Sequence, residues 1–194
     1  MKIKVCGIVD VEQILALDEL AIDYIGINFY PQSKRYFHGA KNLSNLCLKY
    51  AKLTGVFVDP ALDTVFKAVD NHQLTYIQLH GNETPEFCNA LVARGLKVVK
   101  VFDGNHISDY KTMLMYDACN FFIIDSGLSN LAGQGKKFDW TNLKYAGITK
   151  PWMPTPHCRN WVRIKLGRPL SRRQSRSGTP ILLPPTRSSA SSKR

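Results

Sequence analysis

Short runs of β-branched and apolar residues alternate, over the first 153 positions, with longer stretches whose apolar residues recur at helical spacing. The runs are Ile3–Ile8, Tyr24–Tyr30, Leu53–Val58, Tyr76–His80, Lys97–Phe102, Phe121–Asp125 and Trp152-Met153, and their C-terminal ends recur every 22 to 28 residues. One strand with one crossover helix needs about that length. Between them, Val11–Leu20, Leu43–Lys52, Ala61–Val69 and His106–Tyr116 read as amphipathic helices. Another helix opens at Thr84, a capping residue followed by Pro85, and is stopped by Gly95.

Strands alternating with crossover helices predict an α/β fold with a parallel sheet. That leaves an open doubly wound sheet or a closed barrel. The first turn, Cys6-Gly7-Ile8-Val9-Asp10, has neither a GxGxxG fingerprint nor a P-loop. The even repeat also lacks the long connection between two half-sheets, and the pattern favours a (β/α)8 barrel of the TIM type. In that fold reactive residues collect at the C-terminal ends of strands. Cys6, Asn28, Asp59, Gln78, His80, Asp103 and Asp125 all fall there, with Ser33-Lys34-Arg35 in the loop after the second strand.

Composition divides the chain. Hydrophobic residues make up 44% and charged residues 21% of the 194, as in ordinary globular proteins. No apolar run reaches the roughly 18 residues of a membrane span, and the N-terminus lacks the apolar core of a signal peptide. Five widely spaced cysteines match neither a disulfide framework nor a zinc pattern, so reduced thiols and a cytoplasmic location are expected. The net charge of +11 is not evenly spread: residues 1–150 hold 16 Lys and Arg against all 15 acids, and residues 151–194 hold 10 basic residues and no acid. That second segment also has 7 of the 10 prolines and is rich in serine. The expected organisation is therefore a barrel domain over 1–153, truncated after about strand seven, and a basic, largely disordered tail over 154–194. Cys47, Cys88 and Cys119 are expected to serve packing, and His38, His72 and His106 to lie on the surface.

Six segments carry a resemblance. They are Lys4-Val5-Cys6-Gly7-Ile8, the stretch Gly26 to Tyr36, Gly55-Val56-Phe57-Val58, Ile77-Gln78-Leu79-His80-Gly81, Ile123-Ile124-Asp125-Ser126, and Gly133-Gln134-Gly135-Lys136-Lys137-Phe138-Asp139-Trp140. In this order and spacing they resemble phosphoribosylanthranilate isomerase, over residues 2 to about 153. The resemblance implies an Amadori-type isomerisation in tryptophan biosynthesis. N-(5-phosphoribosyl)anthranilate becomes 1-(2-carboxyphenylamino)-1-deoxyribulose 5-phosphate, without cofactor or metal.

It also implies roles. Cys6 resembles the general base, which requires a thiolate and hence a lowered pKa. Asp125 resembles the general acid, which must hold a proton at working pH. Arg35 would pair with the anthranilate carboxylate through its planar fork. Gln78 and His80 would orient the substrate, and Gly133 and Gly135 would belong to a glycine-rich loop beside it. The partner is thus a small phosphosugar. No membrane partner is implied, and monomer and homodimer both remain open. A rival phosphate-handling barrel, indoleglycerol-phosphate synthase, would need a lysine set at its strand ends, which Cys6 and Asp125 fit less well. The tail alone would suit a nucleic-acid binder. The near-neutral barrel segment, without a basic stripe and aromatic platforms, argues against that.

After Met153 the resemblance stops. The family's glycine-rich phosphate loops and its eighth strand have no counterpart in Pro154-Thr155-Pro156-His157-Cys158-Arg159-Asn160-Trp161 or beyond. So abrupt a change of composition is what a shifted reading frame or a mis-joined gene model produces, and the nucleotide sequence around codon 153 tests it. Two expectations follow. The first and seventh strands become open edges, and activity is weak or absent because the phosphate site lacks most of its donors.

Overall fold

The computed structural model describes residues 2–38, 43–104, 111–125, 150–155 and 161–164. Seven parallel strands, β1 (Lys2–Cys6), β2 (Tyr24–Asn28), β3 (Lys52–Phe57), β4 (Tyr76–Leu79), β5 (Lys97–Asp103), β6 (Phe121–Asp125) and β7 (Trp152–Thr155), stand side by side in chain order. They form an incomplete (β/α)8-type barrel. Each strand matches a predicted apolar run to within about two residues. An eighth strand, β8 (Trp161–Ile164), adds to β1 and runs antiparallel to it, pairing Lys2 with Ile164 and Val5 with Trp161. The sequence reading left β1 as an open edge; here that edge is covered. Trp, Val and Ile are strong strand formers, and an unpaired edge offers them a row of backbone donors and acceptors.

Helices α1 (Val11–Glu19), α2 (Leu62–His72), α3 (Pro85–Ala93) and the one-turn α4 (Lys111–Leu114) follow β1, β3, β4 and β5. The Asp10 side chain caps α1 by accepting from the Glu12 amide at 3.0 Å, and Thr84 caps α3 by accepting from Phe87 N at 3.3 Å. Gly95 ends α3 at φ +82°, with Leu96 N donating to Leu91 O and Gly95 N to Val92 O; this paired closure needs a residue in the left-handed region. No helix among the described residues is long and apolar enough to cross a membrane.

The predicted helix over Leu43–Lys52 does not form. The carboxylate of Asp18, at the end of α1, accepts from Lys49 N, Tyr50 N and Ala51 N at 2.7, 2.8 and 2.6 Å. Donors taken by a side chain from another element cannot build a helical ladder, and the segment runs as turns into β3. Its first amide, Leu43 N, donates to His72 Nδ1 at 3.5 Å. His72 is accordingly buried against Phe29 and Phe37, not on the surface, and burial pulls its pKa below the usual 6.5. Cys88 and Cys119 are buried as expected, whereas Cys47 is exposed. His38 is exposed, and His106 lies outside the described residues.

Two apolar layers hold the sheet. Between sheet and helices lie Ile25, Ile27, Leu53, Ile77, Leu79, Val98, Phe122 and Ile124 with Ile14, Val65 and Leu91 from the helices. On the opposite, inner side Val99, Val101, Ile123 and Met153 pack with Tyr24, Tyr76 and Phe121. Tyr24 meets Tyr76 edge-on with ring centroids 5.1 Å apart. This plug fills the bottom of the inner face and leaves the C-terminal strand ends above it for chemistry.

Candidate active site

Strand parity decides which side chains share the inner face. Ile123 belongs to the inner plug, so Asp125, two residues on, faces the same way. Tyr24 also packs on the plug and is the register partner of Lys4, while Gly26 is the partner of Cys6. Lys4 and Cys6 therefore point inward from β1. The structure thus brings Cys6 and Asp125 to one face, at the C-terminal ends of β1 and β6.

Around Cys6 the packing is close. A Cβ on Gly26 would stand 2.6 Å from Cys6 Sγ and 2.8 Å from Lys4 Nζ, so only glycine leaves both groups their room. Immediately after Cys6, Gly7 adopts φ +80°, and a Cβ there would meet Arg35 Cδ at 2.7 Å and Nη1 at 2.8 Å. The Arg35 chain thus lies across the backbone next to Cys6. Its loop is braced from β2: Asn28 Nδ2 donates to Ser33 Oγ at 3.0 Å, Ser33 Oγ accepts from Arg35 N at 3.1 Å, and Asn28 Oδ1 accepts from Tyr30 N at 2.9 Å. Asn28 is spent on holding this turn.

On the other side, His80 Nε2 faces Asp125 Oδ2 at 3.5 Å, and Gln78 Nε2 stands 3.5 Å from His80 Nδ1. The first contact is an ion-pair approach only, because His80 Nε2 has no hydrogen-bond partner among the described residues. Gln78 is 4% exposed, and its Oε1 is likewise buried and unpartnered among them. Buried polar atoms are normally satisfied, so these two are available to a bound ligand. Gly133 and Gly135 lie outside the described residues. Among the described residues no three His, Cys, Asp or Glu side chains gather as a metal site would require.

The loop that carries His80 is fixed from behind. Glu83, 5% exposed, accepts from Asp59 N at 3.0 Å and from Gly81 N at 3.1 Å. Its carboxylate pairs with Lys100 Nζ at 3.1 Å, and that ammonium also donates to Gly81 O at 2.7 Å and Val101 O at 3.0 Å. Asp59 Oδ1 in turn accepts from Asn82 N at 2.5 Å, so Asp59 locks two loops together. The sequence reading passed over Lys4, Glu83 and Lys100. The signal for the two lysines was a charge inside an apolar strand run, Ile3-Lys4-Val5 and Val99-Lys100-Val101, where a solvated side chain is out of place. Elsewhere, a cleft of about 490 Å³ opens beside β2, β3 and α2 between Tyr30, Phe37, Phe57 and His72. Asp59 lines it, but Cys6, Arg35, Gln78, His80 and Asp125 do not.

Known proteins resemble this chain in sequence and fold. The family model for N-(5'phosphoribosyl)anthranilate (PRA) isomerase matches residues 3–150. The N-(5'-phosphoribosyl)anthranilate isomerase of Phocaeicola vulgatus is 39% identical over 152 residues, covering 77% of this chain and 72% of that protein. The crystal structure of phosphoribosyl anthranilate isomerase from Thermotoga maritima is 30% identical with a TM-score of 0.59, over 71% of this chain and 67% of that one. The Thermus thermophilus enzyme is 26% identical with a TM-score of 0.57, over 64% and 62%. The matched part thus spans about two thirds of the length of these relatives. With the family model covering most of its length and a relative 39% identical, the chain belongs to the N-(5'-phosphoribosyl)anthranilate isomerase family, an enzyme family of tryptophan biosynthesis.

Proposed function

We propose that the chain converts N-(5-phosphoribosyl)anthranilate into 1-(2-carboxyphenylamino)-1-deoxyribulose 5-phosphate, with Asp125 as general acid and Cys6 as general base. Asp125 protonates the furanose ring oxygen, and the ring C–O bond breaks to give an open iminium. The Cys6 thiolate takes the C2 proton, and the electron pair moves to form the enolamine, which tautomerises to the ketose. Arg35 pairs with the anthranilate carboxylate. Gln78 Oε1 and His80 Nε2 take hydrogen bonds with the sugar, and the family resemblance assigns Gly133 and Gly135 to substrate binding. The observation that supports this reading best is that a thiol and a carboxyl sit at the ends of two distant strands yet face the same side, as two-sided proton transfer requires. Turnover is weak, because residues 154–194 carry none of the glycine-rich loops expected to hold the phosphate. The compartment is the cytoplasm.

The test is formation of the ketose from N-(5-phosphoribosyl)anthranilate generated in situ, with the purified full chain. Slow conversion above background is expected. Cys6→Ser and Asp125→Asn each remove at least about a hundredfold of it, with circular dichroism unchanged. Full activity in Cys6→Ser removes the sulfur from its role. No conversion by the unmodified chain overturns the activity, and a rate equal to that of the Phocaeicola vulgatus relative overturns the impairment.

A further inference from the structure

Lys4 is 2% exposed, and its side chain makes no hydrogen bond or ion pair among the described residues. A cation so little exposed gains from a counter-charge beside it. Two positions on, Cys6 shares its face, and both side chains crowd the space that Gly26 leaves open. A neutral thiol gives the ammonium almost nothing, whereas a thiolate gives it a counter-ion.

Among the described residues, the acid at this end of the sheet, Asp23, is already engaged by Lys2 Nζ at 2.6 Å and Ile3 N at 2.8 Å. From the β2–β3 connection the Arg35 chain lies across Gly7, a second cation beside the same backbone. From β2 the register partners are Tyr24 opposite Lys4 and Gly26 opposite Cys6. Burial, with Tyr76 beside it, pushes the Tyr24 hydroxyl well above its usual pKa, so Tyr24 stays neutral. On the other flank β8 sets Val162 opposite Lys4 and Trp161 opposite Val5, with Arg163 opposite Ile3. The carboxyl of this face, Asp125, stands on β6 toward His80.

We propose that Lys4 is a positioning residue of this site, its ammonium, set beside the sulfur over Gly26, holding Cys6 as the thiolate that serves as base. The inference rests on the proposed function for the role of Cys6. Its test needs no substrate, however, so either can fail without the other.

The full chain is treated with iodoacetamide, and each cysteine is followed by peptide mass spectrometry. Cys47, which is exposed, serves as internal reference. Cys6 is expected to react about tenfold faster than Cys47 at pH 7 despite its lower exposure, and to keep that lead down to about pH 6. Lys4→Met slows Cys6 about tenfold and leaves Cys47 unchanged, while Lys4→Arg keeps most of the rate. In the isomerase assay Lys4→Met moves the acid limb of kcat/KM to higher pH, which a merely structural role would not do. An unchanged Cys6 rate in folded Lys4→Met overturns the proposal. Should Lys4→Met not fold, the unmodified chain decides: a Cys6 rate that rises with pH in parallel with that of Cys47 overturns it.

Discussion

Breaking the buried pair behind His80 should be among the most damaging single changes to this fold. Lys100 lies in β5 on the helix-facing side, and the side chains of Lys100 and Glu83 are 3% and 2% exposed. Replacing Glu83 by Leu orphans the amides of Asp59 and Gly81 and strands the ammonium, which keeps only the carbonyls of Gly81 and Val101. An unpaired buried charge costs about 3–5 kcal/mol, and each donor left unsatisfied adds about 1–3 kcal/mol. Replacing Lys100 by Met leaves the carboxylate still bonded to those two amides, and the new apolar chain packs beside Phe102 and Tyr116, whose rings lie 5.5 and 6.0 Å from the ammonium. Glu83→Leu should therefore cost more than Lys100→Met, with Lys100→Met near the lower end of that 3–5 kcal/mol range.

Urea unfolding followed by circular dichroism at pH 7 measures both. With a slope of about 1–3 kcal/mol per molar urea, the Lys100→Met midpoint should fall by about 1–3 M, and Glu83→Leu should sit at or beyond the edge of folding, since whole domains hold only about 5–15 kcal/mol. The double variant should be no worse than Glu83→Leu alone, because the stranded ammonium is gone. A Glu83→Leu midpoint within about 0.5 M of the unmodified chain, or a Lys100→Met cost exceeding that of Glu83→Leu, refutes the reasoning.

Two further outcomes follow from the packing. Burial pulls the Asp18 carboxyl upward, but the amides of Ala51, Lys49 and Tyr50 outweigh it and hold its pKa below the usual 3.8; that stability is present above about pH 4 and drains away as pH falls through the lower folded value. Asp18→Asn should thus cost about 1–3 kcal/mol at pH 7 and progressively less toward pH 3 in thermal unfolding scans, and a penalty independent of pH would count against this account. Gly26→Ala places a methyl 2.6 Å from Cys6 Sγ and 2.8 Å from Lys4 Nζ, so it should cost about 1–3 kcal/mol and displace the sulfur. Unchanged urea midpoint and unchanged Cys6 alkylation in that variant would show the space to be less tight than this.

Strands were legible wherever a β-branched run sat between turn signals, and Thr84-Pro85 and Gly95 told where α3 begins and ends because caps are local chemistry. The Leu43–Lys52 error has the opposite cause. Its periodicity is real, yet its amides are claimed by Asp18, more than 30 residues earlier, and no local pattern carries a contact of that range. His72 was misplaced for a related reason: its burial depends on Phe29, Phe37 and the Leu43 amide, all supplied by other elements. Cys6, Gln78, His80 and Asp125 could be placed on one face because they stand at strand ends, and Arg35 because its loop follows directly from β2. Lys4, Lys100 and Glu83 act one position beneath or behind them, where only a charge among apolar neighbours gives notice.

The order of the sheet bears on how an acid and a base can coexist at one pH. Cys6 on β1 and Asp125 on β6 are separated by β2, β3, β4 and β5, so each side chain takes its electrostatic character from different neighbours. Lys4 Nζ and Cys6 Sγ border the same space over Gly26, and the Arg35 chain lies against the next residue, Gly7, while the His80 imidazole faces the carboxyl with Gln78 behind it. A thiol placed directly against the carboxyl would share one proton with it, and neither group could play a fixed part. Distance along the sheet prevents that, and the curvature of a barrel turns both groups back toward one substrate. In the proposed reaction the strands between them thus keep the acid and the base apart, with the sugar as the bridge across which the proton moves.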